Sequence, residues 1–229
     1  MEKISIYEIA QAIGVQYPGP DGMVDHISTD SRQLGGSCLF VALEGERVDG
    51  HRFIPQALRE GAAFAVAHHK VEGDDSRVLY VPDTFPVLME IAYLYRRRFS
   101  VKTVGVTGSV GKTTTKEFIA AVLQRKYRTL KSQGNQNNEI GLPNTIFRLD
   151  SSVQAAVLEM GMSALWDISK LTRIVEPDVG VITNIGVSHM ERLGSRENIL
   201  KAKLEIAEGM ADGAPLLLCG DNDLLSQVK

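Results

Sequence analysis

The hydrophobic pattern of this chain alternates between short β-rich runs and stretches of helical spacing, punctuated by glycine. Ser5 can cap a short helix running to Ile13, with Gly14 closing it. Residues 24–28 and 38–43 are strand-like by residue type. Between them lies the polar turn Ser28-Thr29-Asp30-Ser31-Arg32, which reads equally as a solvated loop or as part of a site. A helix is predicted from near Gly50 to Glu60, where Gly61 stops it, followed by strands over 62–67 and 77–81. These elements form a small α/β domain over residues 1–82.

Pro82-Asp83-Thr84 marks a boundary. Thr84 is placed to cap a helix in which Val87, Leu88, Ile91, Leu94 and Tyr95 recur at helical spacing up to Phe99. Arg96, Arg97 and Arg98 near its end complement the helix dipole and read as a charge cluster rather than a nucleic-acid patch. A β-rich run over 101–106 then leads into a helical pattern reaching about Tyr127, with Phe118, Ile119, Val122 and Leu123 predicted to face the core. Further β-rich runs at 154–159, 178–186 and 215–220 are separated by helical patterns at 164–174 and 195–210. Strands alternating with helices predict an α/β fold with a parallel sheet covered on both faces, over residues 83–229. Ligands of such sheets sit outside the carboxyl ends of the strands, so the polar residues ending each strand should converge on one site.

The first of those strand ends carries Thr107-Gly108-Ser109-Val110-Gly111-Lys112-Thr113-Thr114. A strand that breaks into a Gly/Ser/Thr loop and then a helix suits a phosphate: backbone N–H groups wrap it, the helix N-terminus adds positive potential, and Lys112 supplies a point charge. Thr113 would offer its hydroxyl to Mg²⁺. Val106 stands where the full spacing has a glycine, leaving a shorter Gly-x-x-Gly-Lys-Thr form.

Composition narrows the setting. With 44% hydrophobic and 23% charged residues among 229, the chain has the make-up of a globular protein. A net charge of −3 gives no general drive toward nucleic acid or anionic membrane, so any phosphate site must be local. No apolar run approaches the roughly 20 residues of a membrane span, and the first residues lack a signal sequence, so a cytoplasmic location is expected. Cys38 and Cys219 both lie in apolar runs and are expected as packed thiols rather than a disulfide.

The later strand ends add chemistry. One ends in Leu158-Glu159-Met160-Gly161 and another in Thr183-Asn184-Ile185-Gly186-Val187-Ser188-His189. A hydroxyl from Thr113, the Glu159 carboxylate and the His189 imidazole can together hold Mg²⁺ beside phosphates. In the helix after Ser195, Ile199, Ala202, Ile206, Ala207 and Met210 share one face, while Lys201, Glu205 and Glu208 point away. Lys203 falls near the centre of the apolar face. It either pairs with a buried carboxylate or snorkels out, or it is a neutral amine open to carbamylation by CO₂. An amide-rich stretch over 131–143, with Asn135, Asn137 and Asn138, suits turns or the binding of a polar substrate.

Taken together, 107–114, Gly134-Asn-Gln-Asn-Asn-Glu-Ile-Gly-Leu-Pro143, Leu158-Glu-Met-Gly-Met-Ser163 and 183–189 resemble the Mur ligases of peptidoglycan synthesis. Residues 28–32, 39–43, Gly45 and Asp49-Gly-His51 resemble that family's UDP-sugar-binding domain. The resemblance implies an ATP-dependent carboxylate–amine ligase, of the branch that joins D-alanyl-D-alanine to UDP-N-acetylmuramoyl-tripeptide through an acyl phosphate. It implies ATP phosphates on Lys112 and the loop Thr107–Thr114, with Asn184 in the nucleotide set. It implies two Mg²⁺ ions, with Thr113 on the first, His189 on the second and Glu159 serving both, and a carbamylated Lys203 as a further metal ligand. Asn137 and Asn138 would meet the muramoyl-peptide region, and Ser28, Ser31 and Arg32 the uridine diphosphate. A monomer is expected. Family members carry a further part of the central domain and a third domain, so this chain is expected to be a fragment with weak or no ligase activity by itself. Another amide ligase of the Mur or folylpolyglutamate type, or a non-catalytic nucleotide- or precursor-binding module, stands as the alternative.

Overall fold

The structure is a computed structural model that describes residues 1–45, 48–73 and 75–228. The chain divides into two compact units, Met1–Tyr95 and Arg96–Lys229. The sequence reading put the boundary earlier, at 82/83, before the helix that closes the first unit.

In the first unit, β1 (Ile4–Ser5) leads straight into α1 (Ile6–Ala12). Ser5 is the N-cap, its hydroxyl accepting the Tyr7 N–H at 3.1 Å, and Ile6, Ile9 and Ala10 are buried. The predicted 24–28 strand is split between two sheets. β2 (Met23–Val24) runs antiparallel to β1, whereas β3 (His26–Ser28) pairs in parallel with β4 (Cys38–Val41). Asp25 lies at the switch, and its carboxylate accepts the Ser37 N–H at 2.7 Å. The helix expected from Gly50 begins as a 3₁₀ turn over Gly50–Phe53 and becomes α2 only at Ile54–Glu60, before Gly61 at φ 124°. β5 (Ala62–Ala67) and β6 (Val78–Tyr80) complete a parallel sheet of order β3-β4-β5-β6. Phe40, Ala42, Ile54, Ala57, Leu58 and Ala65 fill its core.

α3 (Val87–Arg96) closes this unit. Its start departs from expectation, because Thr84 is buried and its hydroxyl lies 3.2 Å from His68 Nδ1 rather than capping the helix. The Asp83 carboxylate takes the Phe85 N–H, and the Pro86 carbonyl receives the N–H groups of Met89 and Glu90. At the other end the buried Arg96 side chain donates to the carbonyls of Phe99 and Val101, the role of a charged helix terminus.

The second unit begins its sheet with β7 (Lys102–Thr107), followed by α4 (Lys112–Leu123) and β8 (Thr129–Lys131). Next come α5 (Gly141–Ile146), β9 (Ala155–Glu159), α6 (Asp167–Val175) and β10 (Val179–Ile182). α7 (Met190–Leu193), α8 (Arg196–Leu204) and β11 (Leu216–Leu218) end the unit. The sheet order is β11-β10-β7-β9-β8 with every pairing parallel, so β7 lies between β9 and β10. The loop after β7 is therefore flanked by the ends of β9 and β10, which is how Glu159 and the 183–189 segment reach it.

Three expectations need correcting here. Phe118 and Val122 are 70% and 72% exposed, while Lys116 and Ala120 are buried and Ile119 and Leu123 pack on Val106 and Val157. The core line of α4 runs through Lys116 and Ala120, and a residue two positions away sits about 200° round the helix. Glu205 does not point away: it is 5% exposed, because α8 tightens into a 3₁₀ turn over Glu205–Gly209 that rotates it inward. Its carboxylate accepts the Trp166 N–H at 2.7 Å and the Ser169 N–H at 3.1 Å at the start of α6. Cys219 is exposed, not packed, whereas Cys38 is buried, and both are free thiols. Among the described residues no helix is long and apolar enough to cross a membrane.

Candidate active site

The loop after β7 is built by backbone geometry. Gly108 sits at φ 148° and Gly111 at φ 83°, conformations that side-chain-bearing residues rarely adopt. A Cβ on Gly108 would fall 1.9 Å from Thr183 Oγ1, so the loop passes too close to β10's end for any other residue. The end of β10 fixes the loop in return. Ser109 N–H donates to the Asn184 carbonyl at 2.9 Å, the Gly186 N–H to Ser109 Oγ at 2.9 Å, and the Thr183 hydroxyl to the Val110 carbonyl at 2.6 Å. Asn184 thus enters the site through its backbone. Gly111 is the N-cap residue of α4, so the first amides of a twelve-residue helix open onto the loop. Lys112 Nζ donates to the Gly108 carbonyl at 2.9 Å, and Thr113 and Thr114 are exposed in the first turn.

Beside this loop lies an oxygen pair. The Thr113 hydroxyl donates to Glu159 Oε2 at 2.9 Å, and Asn137 Nδ2 donates to Glu159 Oε1 at 2.9 Å. Glu159 is 2% exposed at the end of β9, its own N–H bonded to Ser132 Oγ at 3.0 Å. Lys116 Nζ, 1% exposed, lies 3.9 Å from Glu159 Oε2 and 3.3 Å from Glu117 Oε1. A buried carboxylate with one nearby cation and a hydroxyl aimed at it suits a hard divalent cation. Two oxygens bound side by side on Mg²⁺ at about 2.1 Å stand about 3 Å apart, close to the spacing of Thr113 Oγ1 and Glu159 Oε2.

His189 and Lys203 form a second cluster with Lys112. His189 is the left-handed N-cap residue of α7 at φ 64°, and partial burial, followed by the charges of Lys203, Lys112 and Arg192, lowers its pKa. Lys203 is 2% exposed on α8, as its position on the apolar face required. Burial, and then the charge of Lys112, bring its pKa from 10.5 down to about 7. Burial disfavours either charge here, whereas the charge of Lys112, the lesser of the two causes, would favour an anion in the same place.

The remaining candidate residues are placed as follows. Asn138 Oδ1 accepts the N–H groups of Ile140 and Gly141, so its side chain caps the start of α5. In the first unit, Ser28 Oγ bonds within its own turn to the Asp30 backbone, and Ser31 is half-buried beside it. Arg32 is 86% exposed and held by a bidentate pair to Asp30 at 2.9 and 2.8 Å, which lowers the Asp30 pKa to about 2. Sequence reasoning overlooked Asp30 and Lys116. Lys116 was findable, because a lysine four residues from Ala120 on a core-facing helix line needs a carboxylate, and Glu159 is a buried one at the end of β9.

A parallel sheet whose central strand feeds a Gly-x-x-Gly-Lys-Thr loop, with a buried carboxylate against the threonine, defines a P-loop α/β protein. Residues 106–229 match the pattern described as "Mur ligase middle domain", and residues 23–102 match "Mur ligase family, catalytic domain". The chain belongs to the Mur ligase family. It is 43% identical over 98% of its length to UDP-N-acetylmuramoyl-tripeptide–D-alanyl-D-alanine ligase of Bacillus subtilis, covering 50% of that protein. It is 33% identical to the enzyme of the same name from Escherichia coli, over 97% of this chain and 49% of the relative. Among solved structures it resembles MurF from Acinetobacter baumannii, with TM-score 0.90, 31% identity, and coverage of 99% of this chain and 51% of that one. It also resembles MurF ligase from Thermotoga maritima in complex with ADP, with TM-score 0.81, 38% identity, and coverage of 86% and 46%. The chain spans about half the length of the curated relatives it matches.

Proposed function

We propose that this chain supplies the ATP-binding and carboxylate-activating machinery of a ligase that joins D-alanyl-D-alanine to UDP-N-acetylmuramoyl-tripeptide in peptidoglycan precursor synthesis. The observation that carries the reading is the Thr113–Glu159 oxygen pair beside the loop that Lys112 closes, with the buried Lys203 of α8 in the field of Lys112. The names of the relatives at 33% and 43% identity support the choice of substrates. A neighbour named for diaminopimelate addition is only 15% identical and speaks for the fold alone.

In the reaction, a carboxylate oxygen of the tripeptide attacks the γ-phosphorus of ATP, and the bond to ADP breaks. The amine of D-alanyl-D-alanine then attacks the acyl carbon, phosphate leaves with the bonding pair, and the amine loses a proton. Lys112 and the loop amides hold the phosphates and offset charge on the transferring group. Thr113 would hold one Mg²⁺ and His189 with a carbamylated Lys203 a second, with Glu159 serving both. Bound Mg²⁺ supplies charge neutralisation on the phosphate oxygens. Lys203 suits carbamylation because its amine is neutral at a pH where other lysines are charged, and the product anion would face Lys112 and His189. Asn137 orients Glu159, and Asn138 holds the adjoining loop that would meet the muramoyl peptide. In the first unit, Ser28, Ser31 and Arg32 are assigned to the uridine diphosphate, with Asp30 presenting the Arg32 guanidinium. A cytoplasmic location and a monomeric state go with this reading.

Calorimetry with UDP-N-acetylmuramoyl-tripeptide and with a non-hydrolysable ATP analogue tests this reading. Binding of both is expected. Binding of the ATP analogue with no heat from the UDP-peptide would assign the chain to a P-loop protein of another kind.

A further inference from the structure

The carboxyl edge of the first unit's sheet carries a cluster to which the proposed mechanism gives no role. His68 and His69 follow directly on β5, His51 sits in the 3₁₀ turn after β4, and ligand nitrogens of the three lie within 4.8 Å of one another. The ring of His51 stands 4.1 Å, centroid to centroid, from each of the other two rings, stacked on His69 and edge-on to His68. Two carboxylates face the group. Asp49 Oδ1 is 2.6 Å from His51 Nδ1 and its Oδ2 is 3.4 Å from His69 Nε2, while Glu44 Oε2 is 3.2 Å from His68 Nε2. The outer ring nitrogens reach Thr84 Oγ1, at 3.2 Å from His68 Nδ1, and the Lys70 carbonyl, at 3.3 Å from His69 Nδ1.

His51 is 2% exposed, and burial chiefly lowers its pKa, which favours the neutral imidazole that a metal needs. The short contact to the Asp49 carboxylate puts the His51 proton on Nδ1 and leaves the lone pair on Nε2. That is the arrangement in which an outer carboxylate orients a metal-binding histidine. The His68 backbone N–H, 3.1 Å away, now takes that lone pair, so binding would exchange one hydrogen bond for a metal–nitrogen bond. His69 is exposed and His68 half-buried, which leaves the cluster open to entry from solvent.

We propose that His51, His68 and His69 form a site for a borderline transition-metal cation such as Zn²⁺, with Asp49 orienting His51 through Nδ1. The site joins the turn after β4 to the end of β5, and so braces the carboxyl edge of this sheet. Imidazole ligands favour Zn²⁺, Ni²⁺ and Co²⁺ over Mg²⁺, so the site differs in kind from the oxygen pair at Thr113 and Glu159.

The test uses tag-free, metal-free protein titrated with Co²⁺ and then with Zn²⁺. One equivalent of Co²⁺ is expected to give an intense visible band of low-coordinate cobalt that excess Mg²⁺ leaves intact and Zn²⁺ removes. Loss of one ligand should weaken binding at least tenfold, at the low end of what metal sites show when their supporting partners are lost. His51→Ala risks unfolding, so the exposed His69→Ala and the half-buried His68→Gln decide the matter, with folding checked by circular dichroism. His189→Ala should leave the band unchanged. A spectrum no stronger than aqueous Co²⁺, a band that survives both His69→Ala and His68→Gln, or one lost in His189→Ala would overturn the proposal.

Discussion

Replacing Lys203 with methionine should change how the second unit's stability depends on pH. The side chain is 2% exposed, and its pKa falls from 10.5 to about 7, first through burial and then through the charge of Lys112. The folded state therefore binds this proton less readily than the unfolded chain does. Stability from this group is complete above the unfolded value of 10.5 and is lost as pH falls toward 7. At about 1.4 kcal/mol per pH unit the full loss is about 5 kcal/mol, of which about 3 kcal/mol falls between pH 9 and pH 6. Urea denaturation in CO₂-free buffer, followed by Trp166, the chain's one tryptophan and a residue of the second unit, measures it. The wild type should lose about 3 kcal/mol more than Lys203→Met between those pH values. His189 also titrates with a lowered pKa, and because the Lys203 charge is one of its causes, the substitution raises the His189 pKa and adds to the difference in the same direction. With ¹³C-bicarbonate, a carbamate resonance should grow as pH rises through 7 and be missing in the variant. Identical pH dependence in the two proteins would refute the buried-amine argument.

Substitutions at three further positions follow from the same geometry. Gly108→Ala places a methyl 1.9 Å from Thr183 Oγ1 at a φ of 148°, and should reduce ATP-analogue affinity at least a hundredfold by calorimetry. Lys116→Met leaves the buried Glu159 without its nearby cation, and should cost about 3 kcal/mol in urea denaturation at neutral pH. Glu205→Ala strands the Trp166 and Ser169 N–H groups, and should cost about 2 kcal/mol with a change in Trp166 emission; Glu205→Gln should recover part of it.

Local chemistry carried most of the fold. Ser5, Gly14 and Gly61 punctuate the helices where their caps and left-handed conformations demand, and the β5 run 62–67 coincides with its strand. What stayed hidden depended on partners distant in sequence. Residues 24–28 read as one strand, because nothing local says that Val24 pairs with Ile4 while Ile27 pairs with Leu39. Phe118 and Val122 are apolar and were taken as core, yet the helix buries Lys116 instead, for which Glu159 supplies the reason. Glu205 was placed outside by a strict helical period that the 3₁₀ turn breaks. At the site, the strand-end rule brought together Glu159 and Thr113, whose side chains hydrogen-bond in the structure. The histidine cluster lay outside that rule as applied to the second unit, since His51, in the 3₁₀ turn after β4, meets His68 only through the folding of the first unit.

The central claim is that Thr113 and Glu159 hold a metal ion against nucleotide phosphates gripped by Lys112. Titration of a non-hydrolysable ATP analogue, with and without Mg²⁺, into the wild type and Thr113→Val tests it most directly. The account predicts that Mg²⁺ tightens wild-type binding at least tenfold, and that Thr113→Val loses this gain while keeping the wild-type Mg²⁺-free affinity. Equal Mg²⁺ dependence in the two proteins, or none in the wild type, would contradict it.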